Sequence, residues 1–274
     1  MHKKLLWRPI ALILLLLALA ACSTTPVEQF PIDQSLSAEG KNSRVRHIVL
    51  HYTVSDTPRS IKILTEQNVS SHYLITDEEP PTIYQLVDET ERAWHAGESQ
   101  WFDHVDLNTS SIGIEIVNSG RTDDGQWPDY QPAQIAALKQ LLHDIVERHR
   151  VTPANIVGHS DVAPQRKIDP GPRFPWRELA QDGLGRWYDE ALAQRYQQEF
   201  QNRLPSVATI QSWLKQAGYA VPQHGRLDEE TQKVIRAFQM HYRPDIHDGK
   251  VDAQTAGILK ALISPEPTTI QSAR

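Results

Sequence analysis

The sequence predicts an α/β fold, in which a central mixed β-sheet is flanked by helices, followed by a small C-terminal domain of three helices. Three observations lead to this fold class. Short apolar segments typical of buried strands alternate with segments of helical period over residues 44–180. A seven-residue motif occurs twice after residue 205, each time before a short helical pattern. The chain, at 274 residues, is long enough for a mid-sized domain and a small second one.

Residues 1–21 have the three-part composition of an export signal. A positively charged start with three basic residues precedes an apolar core over residues 10–18, which is too short to span a bilayer comfortably as a permanent helix. The segment ends in Leu19-Ala20-Ala21-Cys22, which resembles the bacterial lipobox. The resemblance implies cleavage before Cys22 and acyl chains on its sulfur and its new amino group. Several acyl chains on one residue hold a protein stably on a membrane.

The residue after the cysteine is Ser23, whereas inner-membrane lipoproteins usually carry aspartate there. The lipobox resemblance therefore implies an outer-membrane lipoprotein that faces the periplasm. An ordinary secretory signal that happens to end before a cysteine is the alternative.

Cysteine content and charge exclude several kinds of site. Cys22 is the only cysteine, so an intrachain disulfide and a sulfur-ligated metal site are both excluded. Loss of residues 1–21 leaves 25 basic and 34 acidic residues, which changes the net charge from −6 to −9. A domain this acidic is poorly suited to binding nucleic acid through its phosphates.

The elements of the larger domain follow in order after a tether. Residues 22–43 are polar, contain two prolines and lack a sustained period, as expected of a tether. Residues 45–52 form a mostly apolar, β-branched run typical of a buried strand. A helix follows with Thr57 as its N-cap and Pro58 in its first turn. The further predicted elements are strands over 72–76, 82–87, 111–117 and 156–159, and a long helix that starts near Pro132.

The second domain is predicted over residues 205–262, after a connector at 181–204 and before a tail at 263–274. The repeated motif is Gly225-Arg226-Leu227-Asp228-Glu229-Glu230-Thr231 and Gly249-Lys250-Val251-Asp252-Ala253-Gln254-Thr255. In each copy the aspartate is a natural helix N-cap. The acidic residues around Gly249 do not follow the spacing of an EF-hand calcium loop, and capping explains Asp252 without an ion.

Two histidines and one aspartate form a candidate metal site. His51 and His159 each follow an apolar strand, and Asp169 lies in a turn-forming segment ten residues after His159. Two imidazoles and a carboxylate that leave one position open are typical of a catalytic zinc site. The chain has 12 histidines, so other triples could be chosen. Each of these residues also has an ordinary structural role available, such as a hydrogen bond to the backbone.

Three sequence segments, in a fixed order along the chain, make the prediction of this metal site more specific. They are His47-Ile48-Val49-Leu50-His51-Tyr52, Ser111-Ile112-Gly113-Ile114-Glu115, and the run from Gly158 to Pro172, which reads GHSDVAPQRKIDPGP. Together they resemble the zinc-dependent N-acetylmuramoyl-L-alanine amidases, a family related to phage lysozyme-like amidases and peptidoglycan recognition proteins. The resemblance covers about residues 44–180.

This resemblance implies a role for five residues. His51, His159 and Asp169 match the family's ligands for one Zn²⁺ ion. Glu115 matches the general base, and Lys167 is expected to stabilise the oxyanion of the tetrahedral intermediate. Close relatives often carry glycine at the position of Gln165, and this departure puts the fit of the substrate in question.

Weaker likenesses extend the expected substrate site and the second domain. Trp94, His95 and Tyr73 resemble family positions that line the cleft, although packing in the core explains Tyr73 equally well. Residues 205–262 resemble the small helical peptidoglycan-binding module. Most residues of that likeness are caps and core aromatics, so it predicts the fold better than it predicts binding.

The sequence therefore predicts a metallohydrolase that cuts the amide bond between N-acetylmuramic acid and L-alanine in peptidoglycan or muropeptides. Acceptance of the anhydro form of the sugar stays open. A wall-binding protein without catalysis and a zinc peptidase that cuts within the stem peptide are the two alternatives. No pattern predicts an assembly, and a monomer is the default expectation.

Overall fold

The computed structural model describes residues 31–265. The predicted export signal, Cys22 and the chain after residue 265 lie outside the described residues. Residues 31–41 belong to a separate unit and contain no helix or strand. Residues 42–265 belong to one unit that holds both predicted domains. Within the described part of the chain, no helix is long and apolar enough to cross a bilayer.

A five-stranded mixed sheet forms the centre of the larger domain. Its strand order is β3-β2-β6-β1-β7; β3 is antiparallel to β2, and the other neighbouring strands are parallel. The strands are β1 (His47–Tyr52), β2 (Tyr73–Ile75), β3 (Ile83–Gln85), β6 (Ser111–Ile116) and β7 (Ile156–Gly158), and a separate hairpin contains β4 (Gln100–Trp101) and β5 (His104–Val105). This sheet confirms the predicted fold class.

Helices cover both faces of this sheet. On one face, Ile48 and Leu50 of β1 pack in a core that includes Leu138 and Leu142 of α2 (Pro132–His149). On the other face, α1 (Thr57–Glu66) packs near β2. Both faces of β1 are buried, which explains its continuous apolar run. The N-cap of α1 is Asp56, whose side chain accepts a hydrogen bond from the amide of Arg59, so the predicted cap at Thr57 is wrong by one residue.

The remaining helices are α3 (His159–Val162), α4 (Trp176–Gln181), α5 (Glu190–Phe200), α6 (Val207–Ala217), α7 (Glu229–Tyr242) and α8 (Ala253–Ile263). The last three form the predicted helical domain. Helix α5 lies in the segment predicted as a connector and packs closely against α8. Gly257 permits this approach, because a Cβ atom there would lie 2.7 Å from the carbonyl oxygen of Ala193.

The repeated motif folds in the same way twice. Asp228 and Asp252 cap α7 and α8 by accepting hydrogen bonds from the amides of Thr231 and Thr255, as predicted. In both copies, a glutamine side chain on the preceding helix accepts a hydrogen bond from the amide of the glycine that starts the motif. Gln211 accepts from the amide of Gly225 at 2.7 Å, and Gln239 accepts from that of Gly249 at 2.8 Å.

The two predicted domains share a hydrophobic core. One buried cluster includes Val157 and Val162 from the sheet domain together with Leu214 and Phe238 from the helical domain. Gln165 lies at the same boundary, where its side-chain amide donates to the backbone carbonyl of Glu230 in α7. The departure from glycine at this position therefore adds a contact between domains.

Candidate active site

Strand register places His51 beside Glu115. The two residues are direct neighbours in the parallel pair of β1 and β6. Ile114 and Ile116, on either side of Glu115, pack in the core on the α2 face, so alternation places the Glu115 side chain on the opposite face with His51. The sheet itself thus fixes the relative position of two of the predicted site residues.

Helix α3 brings the second histidine to the same place. His159 is its first residue and directly follows β7, the other neighbour of β1. The turn that carries Asp169 is fastened to this helix, because the amide of Ser160 donates to the Asp169 carbonyl at 2.8 Å. The hydroxyl of Tyr130 donates to the carbonyl of Pro170 at 2.8 Å and holds the turn from its other side.

Three buried ligand atoms converge at this point. His51 Nδ1 lies 2.9 Å from His159 Nδ1, and Asp169 Oδ2 lies 3.0 Å from each of these nitrogens. Among the described residues, these three form the group of histidine and acidic side chains whose ligand atoms lie close enough together to hold a metal ion. Ligand atoms about 3.3 Å apart are expected around a tetrahedral zinc ion with bonds of 2.0–2.1 Å. The spacing therefore needs little adjustment to receive an ion.

A chain of hydrogen bonds sets the tautomer of His51. Its Nε2 lies 3.0 Å from His95 Nδ1, and His95 Nε2 lies 3.1 Å from the hydroxyl of Ser111. That hydroxyl donates to the carbonyl of Leu107 at 2.6 Å. Because the chain ends on a carbonyl, the consistent assignment has each imidazole donating from Nε2, which leaves Nδ1 of His51 unprotonated.

His159 has the same arrangement. Its Nε2 lies 3.0 Å from the backbone carbonyl of Ala96 and donates to it. The Nδ1 lone pairs of His51 and His159 therefore face each other at 2.9 Å. Two such lone pairs repel each other unless a cation lies between them, and the Asp169 carboxylate adds negative charge at the same point. The donor set thus fits a divalent cation such as zinc.

The electrostatics of His51 and Asp169 match this interpretation. Burial and the neighbouring His159 lower the pKa of His51 to about 4, which keeps its imidazole neutral at neutral pH. Burial opposes ionisation of Asp169, whereas a proton on His159 or His51 that faces the carboxyl lowers its pKa below the usual range, and a bound cation would take the place of that proton. Neutral imidazoles and an ionised carboxylate are the forms that bind metal ions.

The pKa of the Glu115 carboxyl, in contrast, is raised. Burial and the negative charge of Asp169 raise the pKa of its carboxyl well above the ordinary value, and Lys167 opposes this shift. Its Oε2 atom is buried and has no hydrogen-bond partner among the described residues. A carboxylate held in this way has a high affinity for a proton, as a general base needs.

A pocket of about 240 Å³ opens onto these residues. Lys167 lines it together with the three ligand residues and Glu115. Its rim carries exposed apolar side chains, among which Val54, Val69 and Trp94 are 62%, 45% and 55% exposed. Val54 has a φ of +54°, which is rare for a β-branched residue. An exposed apolar rim around a polar floor suits a ligand with both kinds of surface.

The predicted substrate contacts separate into two groups. Trp94 and His95 line the pocket, and His95 also contacts His51. Tyr73 is not brought to the pocket. Its ring is buried in the core on the α2 face of the sheet, and its hydroxyl donates to Glu89 at 2.7 Å. Strand alternation explains this placement, so the assignment of Tyr73 as a substrate contact is not supported.

Two residues of the site were not singled out from the sequence. Gly113 lies beneath the His95 ring, where a Cβ atom would approach that ring to 2.4 Å. Arg166 donates to the backbone carbonyls of Ala96 and Glu98 and joins the loop after Trp94 to the turn that carries Lys167. A glycine inside a strand pattern is a signal of close approach, but the partner of Gly113 is visible only in three dimensions.

A second, larger cleft of about 1320 Å³ lies beside the pocket. It runs between the two domains and is lined from both sides, by residues such as Glu98, Phe102, Lys215 and Gln223. Trp94 lines the cleft as well as the pocket, so the two are adjacent.

Comparisons with known proteins give matches in both domains of the chain. Residues 41–172 match the family described as N-acetylmuramoyl-L-alanine amidase, and residues 203–259 match a peptidoglycan-binding domain. The chain is 42% identical over 248 residues to the N-acetylmuramoyl-L-alanine amidase AmiD of Escherichia coli, with 86% of this chain and 88% of the relative covered.

Two solved structures are similar over most of the chain. AmpDh3 from Pseudomonas aeruginosa, in complex with an anhydromuramic pentapeptide, is 44% identical with a TM-score of 0.79 and covers 86% of this chain and 98% of its own. AmiD from E. coli, in complex with the substrate anhydro-N-acetylmuramic acid-L-Ala-D-γ-Glu-L-Lys, is 41% identical with a TM-score of 0.77 and covers 86% and 96%.

Proposed function

This chain belongs to the N-acetylmuramoyl-L-alanine amidase family, and from this premise we propose that it cuts its substrate with one Zn²⁺ ion held by His51, His159 and Asp169. The bond cut is the amide between the lactyl group of N-acetylmuramic acid and L-alanine in peptidoglycan or muropeptides. The observation that carries the proposal is the convergence of three buried ligand atoms beside a carboxyl group of raised pKa.

The ion, when bound, would act as a Lewis acid on the scissile carbonyl and would acidify water at the site. Glu115 accepts a proton from the attacking water and then delivers it to the leaving nitrogen of L-alanine. The new carbon–oxygen bond forms first, and the carbon–nitrogen bond breaks afterwards as the nitrogen receives its proton, which leaves a muramic carboxylate and a free peptide amine. Lys167 stabilises the negative charge that develops on the carbonyl oxygen.

Two measurements on one preparation test this proposal. Elemental analysis of the purified chain is expected to give one zinc ion per molecule. Incubation with a defined muropeptide, followed by mass spectrometry, is expected to release a peptide that begins with L-alanine. A zinc peptidase would leave the sugar attached to L-alanine, and a wall-binding protein without catalysis would leave the muropeptide intact. Either outcome would contradict the proposal.

We also propose that the anhydro form of the sugar is accepted. The two solved relatives hold anhydromuramic peptides, and the reacting amide is separate from the ring bridge that distinguishes the two sugar forms. Matched muropeptides with ordinary and anhydro sugars are expected to be cleaved at kcat/KM values within about tenfold of each other. Cleavage of only the ordinary form would contradict this extension.

The helical domain is proposed to bind the cell wall. Its sequence matches a peptidoglycan-binding domain, and the cleft between the domains is lined by amide, charged and aromatic side chains suited to a glycan with peptide stems. Co-sedimentation of a Glu115→Gln variant with insoluble peptidoglycan tests binding without digestion. Retention of the variant in the supernatant would contradict the proposal.

We further propose that the mature chain is a monomer anchored through acylated Cys22 to the outer membrane, facing the periplasm. The lipobox-like sequence and Ser23 support this location. Labelled fatty acid is expected in the wild type and absent from a Cys22→Ala variant. A Ser23→Asp variant is expected to move to the inner membrane, and equal labelling of the wild type and Cys22→Ala would contradict anchoring at this residue.

A further inference from the structure

A buried carboxylate joins the metal-ligand helix to the helical domain. Asp161 lies on α3, two residues after His159, and is 1% exposed. Its Oδ1 accepts a hydrogen bond from the hydroxyl of Tyr219 at 2.7 Å. Its Oδ2 lies 2.8 Å from His241 Nδ1, which donates to it. Tyr219 and His241 both belong to the helical domain. Two of the partners of this carboxylate therefore come from outside the sheet domain (residues 44–180), which is called the catalytic half below.

The same carboxylate also holds the start of its own helix. Asp161 Oδ2 accepts from the amide of Gly158 at 2.8 Å, immediately before His159. Ser160, which lies between His159 and Asp161, donates a hydrogen bond from its amide to the backbone carbonyl of Asp169. A shift of Asp161 would therefore move two of the three proposed ligands. A helix of four residues has few hydrogen bonds of its own to resist such a shift.

The donors from the helical domain are themselves held in place. The His241 ring stacks on Trp176 of the catalytic half, with ring centroids 3.9 Å apart and planes 12° from parallel. The Tyr219 ring packs edge-on against Trp101 with centroids 5.0 Å apart. Gly218 permits this contact, since a Cβ atom there would lie 2.8 Å from the Trp101 ring. The donors that meet Asp161 are thus rigidly positioned before any ion binds.

We propose that Tyr219 and His241 are positioning residues for the metal site, so that the helical domain acts as a structural part of the active centre in addition to any wall binding. Through Asp161, these two donors hold α3 and the Asp169 turn where His159 and Asp169 can share an ion with His51. The inference rests on the proposed metal site. It assigns a catalytic task to a domain whose sequence match indicates only peptidoglycan binding.

The test compares zinc binding in full-length variants that differ by one hydroxyl. Tyr219→Phe removes the donor to Asp161 and keeps the ring. Tyr196→Phe is the matched control, because Tyr196 lies on α5 and its hydroxyl lies 3.4 Å from the hydroxyl of Ser264. Competition with a chromophoric chelator gives the zinc dissociation constant. We expect about a tenfold increase for Tyr219→Phe, the lower end of the loss that follows removal of a direct hydrogen-bond partner of a metal ligand, and no change for Tyr196→Phe.

A second readout separates positioning from general stability. Melting temperatures are measured for each variant without zinc and with saturating zinc. Weaker zinc binding reduces the increase in Tm that zinc produces. If Tyr219→Phe lowers both temperatures equally and leaves the zinc dissociation constant unchanged, the residue is merely structural and the inference is overturned.

His241 gives an independent pair of variants, which also covers the case in which Tyr219→Phe does not fold. His241→Phe keeps a ring against Trp176 without a donor, whereas His241→Asn keeps an N–H group near the position of Nδ1. We expect weaker zinc binding for His241→Phe and closer to wild-type binding for His241→Asn. The reverse order would overturn the inference. Failure of the proposed function itself is distinguishable, because then the wild-type chain would bind no stoichiometric zinc.

Discussion

At the scale of single residues, the site depends on hydrogen bonds that leave one nitrogen of each ligand histidine free. His51 donates to His95, and His159 donates to the Ala96 carbonyl, so that both Nδ1 atoms face Asp169. The same bonds fix the orientation of the rings before an ion arrives. Loss of a partner of this kind typically weakens metal binding by about 10- to 100-fold.

Replacing Glu115 by glutamine is predicted to stop turnover and to leave the metal site intact. Glutamine has the same shape but cannot accept the proton of the attacking water, and general-base catalysis contributes about 10²- to 10⁴-fold to rate. We expect kcat for a defined muropeptide to fall by that factor, with zinc content unchanged. Glu147→Gln, at an exposed position of α2, is the control. Wild-type kcat in Glu115→Gln would remove Glu115 from its role.

Gly113→Ala is predicted to weaken metal binding, although Gly113 touches no ligand. The added methyl group would lie 2.4 Å from the His95 ring and would push that ring away from His51. We expect the zinc dissociation constant to rise about tenfold or more in chelator competition. Gly185→Ala is the control, because its new Cβ atom would have no neighbour closer than 3.9 Å. Equal zinc affinity in both variants would contradict the role assigned to His95.

The sequence predicts the residues that carry chemistry better than it predicts those that orient them. His51, His159 and Asp169 could be selected because strand ends and a rigid turn are detectable in one dimension. Ser111 and Gly113 could not be assigned their tasks, since their contacts with His95 depend on the register of β6. The partners of Asp161 lie 58 and 80 residues away along the chain, and periodicity carries no information about such contacts.

At the scale of elements, a charged cluster fastens the end of α2 to strand β2 and to the start of the domain. Glu89 accepts from the hydroxyl of Tyr73 and from Arg148, and it lies 2.7 Å from His149 Nε2. The other ring nitrogen of His149 lies 2.7 Å from the hydroxyl of Ser43. Burial opposes ionisation of Glu89, but these hydrogen bonds lower the pKa of its carboxyl to about 2.

This cluster predicts a pH-dependent loss of stability. A carboxyl whose pKa is depressed on folding stabilises the fold above its unfolded value, 4.5, and this contribution is lost as the pH falls towards about 2. Glu89→Gln is expected to reduce the free energy of unfolding at pH 7 by about 2 kcal/mol, discounted because Arg148 is partly exposed. Urea unfolding of zinc-free protein should show this difference shrinking from pH 5 to pH 3. A difference that stays constant would contradict the assignment.

Local sequence patterns predicted which helices and strands form better than they predicted where each element ends. The sequence predicted the long helix α2 from near Pro132, and the aspartates of the repeat predicted the starts of α7 and α8. Strand β3 covers only residues 83–85 of the predicted 82–87, because pairing with the three-residue strand β2 limits its length. Helix α5 lies in a segment predicted as a connector, and its packing against α8 depends on Gly257.

At the scale of the whole molecule, the helical domain and the catalytic half are one folding unit. Their shared cluster includes Val49 and Val157 of the sheet as well as the core of α6, α7 and α8. A wall-binding module on a flexible linker would have a hydrophobic core separate from that of the catalytic half. The arrangement implies that catalysis and folding of the catalytic half both depend on the C-terminal residues.

Truncation after Leu204 is therefore predicted to abolish the active fold. It would expose Trp101, Val162 and other residues of the shared cluster and leave Asp161 without two donors. We expect insoluble protein, or soluble protein without cooperative unfolding and without zinc binding. A chain that begins at Asn42 is the control, since residues before it belong to the other unit. A stable, zinc-binding fragment that ends at Leu204 would contradict this account.

The sequence did not predict that the two domains pack tightly against each other. The sequence predicted two domains joined by a connector at 181–204, and nothing in it predicts that Tyr219 and His241 reach a carboxylate beside a metal ligand. Even Gln165, which stood out against the family pattern, gained its explanation only from its contact with Glu230.

Anomalous diffraction at the zinc absorption edge, on crystals of the zinc-loaded full chain, shows whether His51, His159 and Asp169 hold the ion. We predict one strong peak per chain, about 2.0–2.2 Å from each of His51 Nδ1, His159 Nδ1 and Asp169 Oδ2. A stoichiometrically loaded protein whose peak lies away from these atoms, or that shows no peak among them, would contradict the claim.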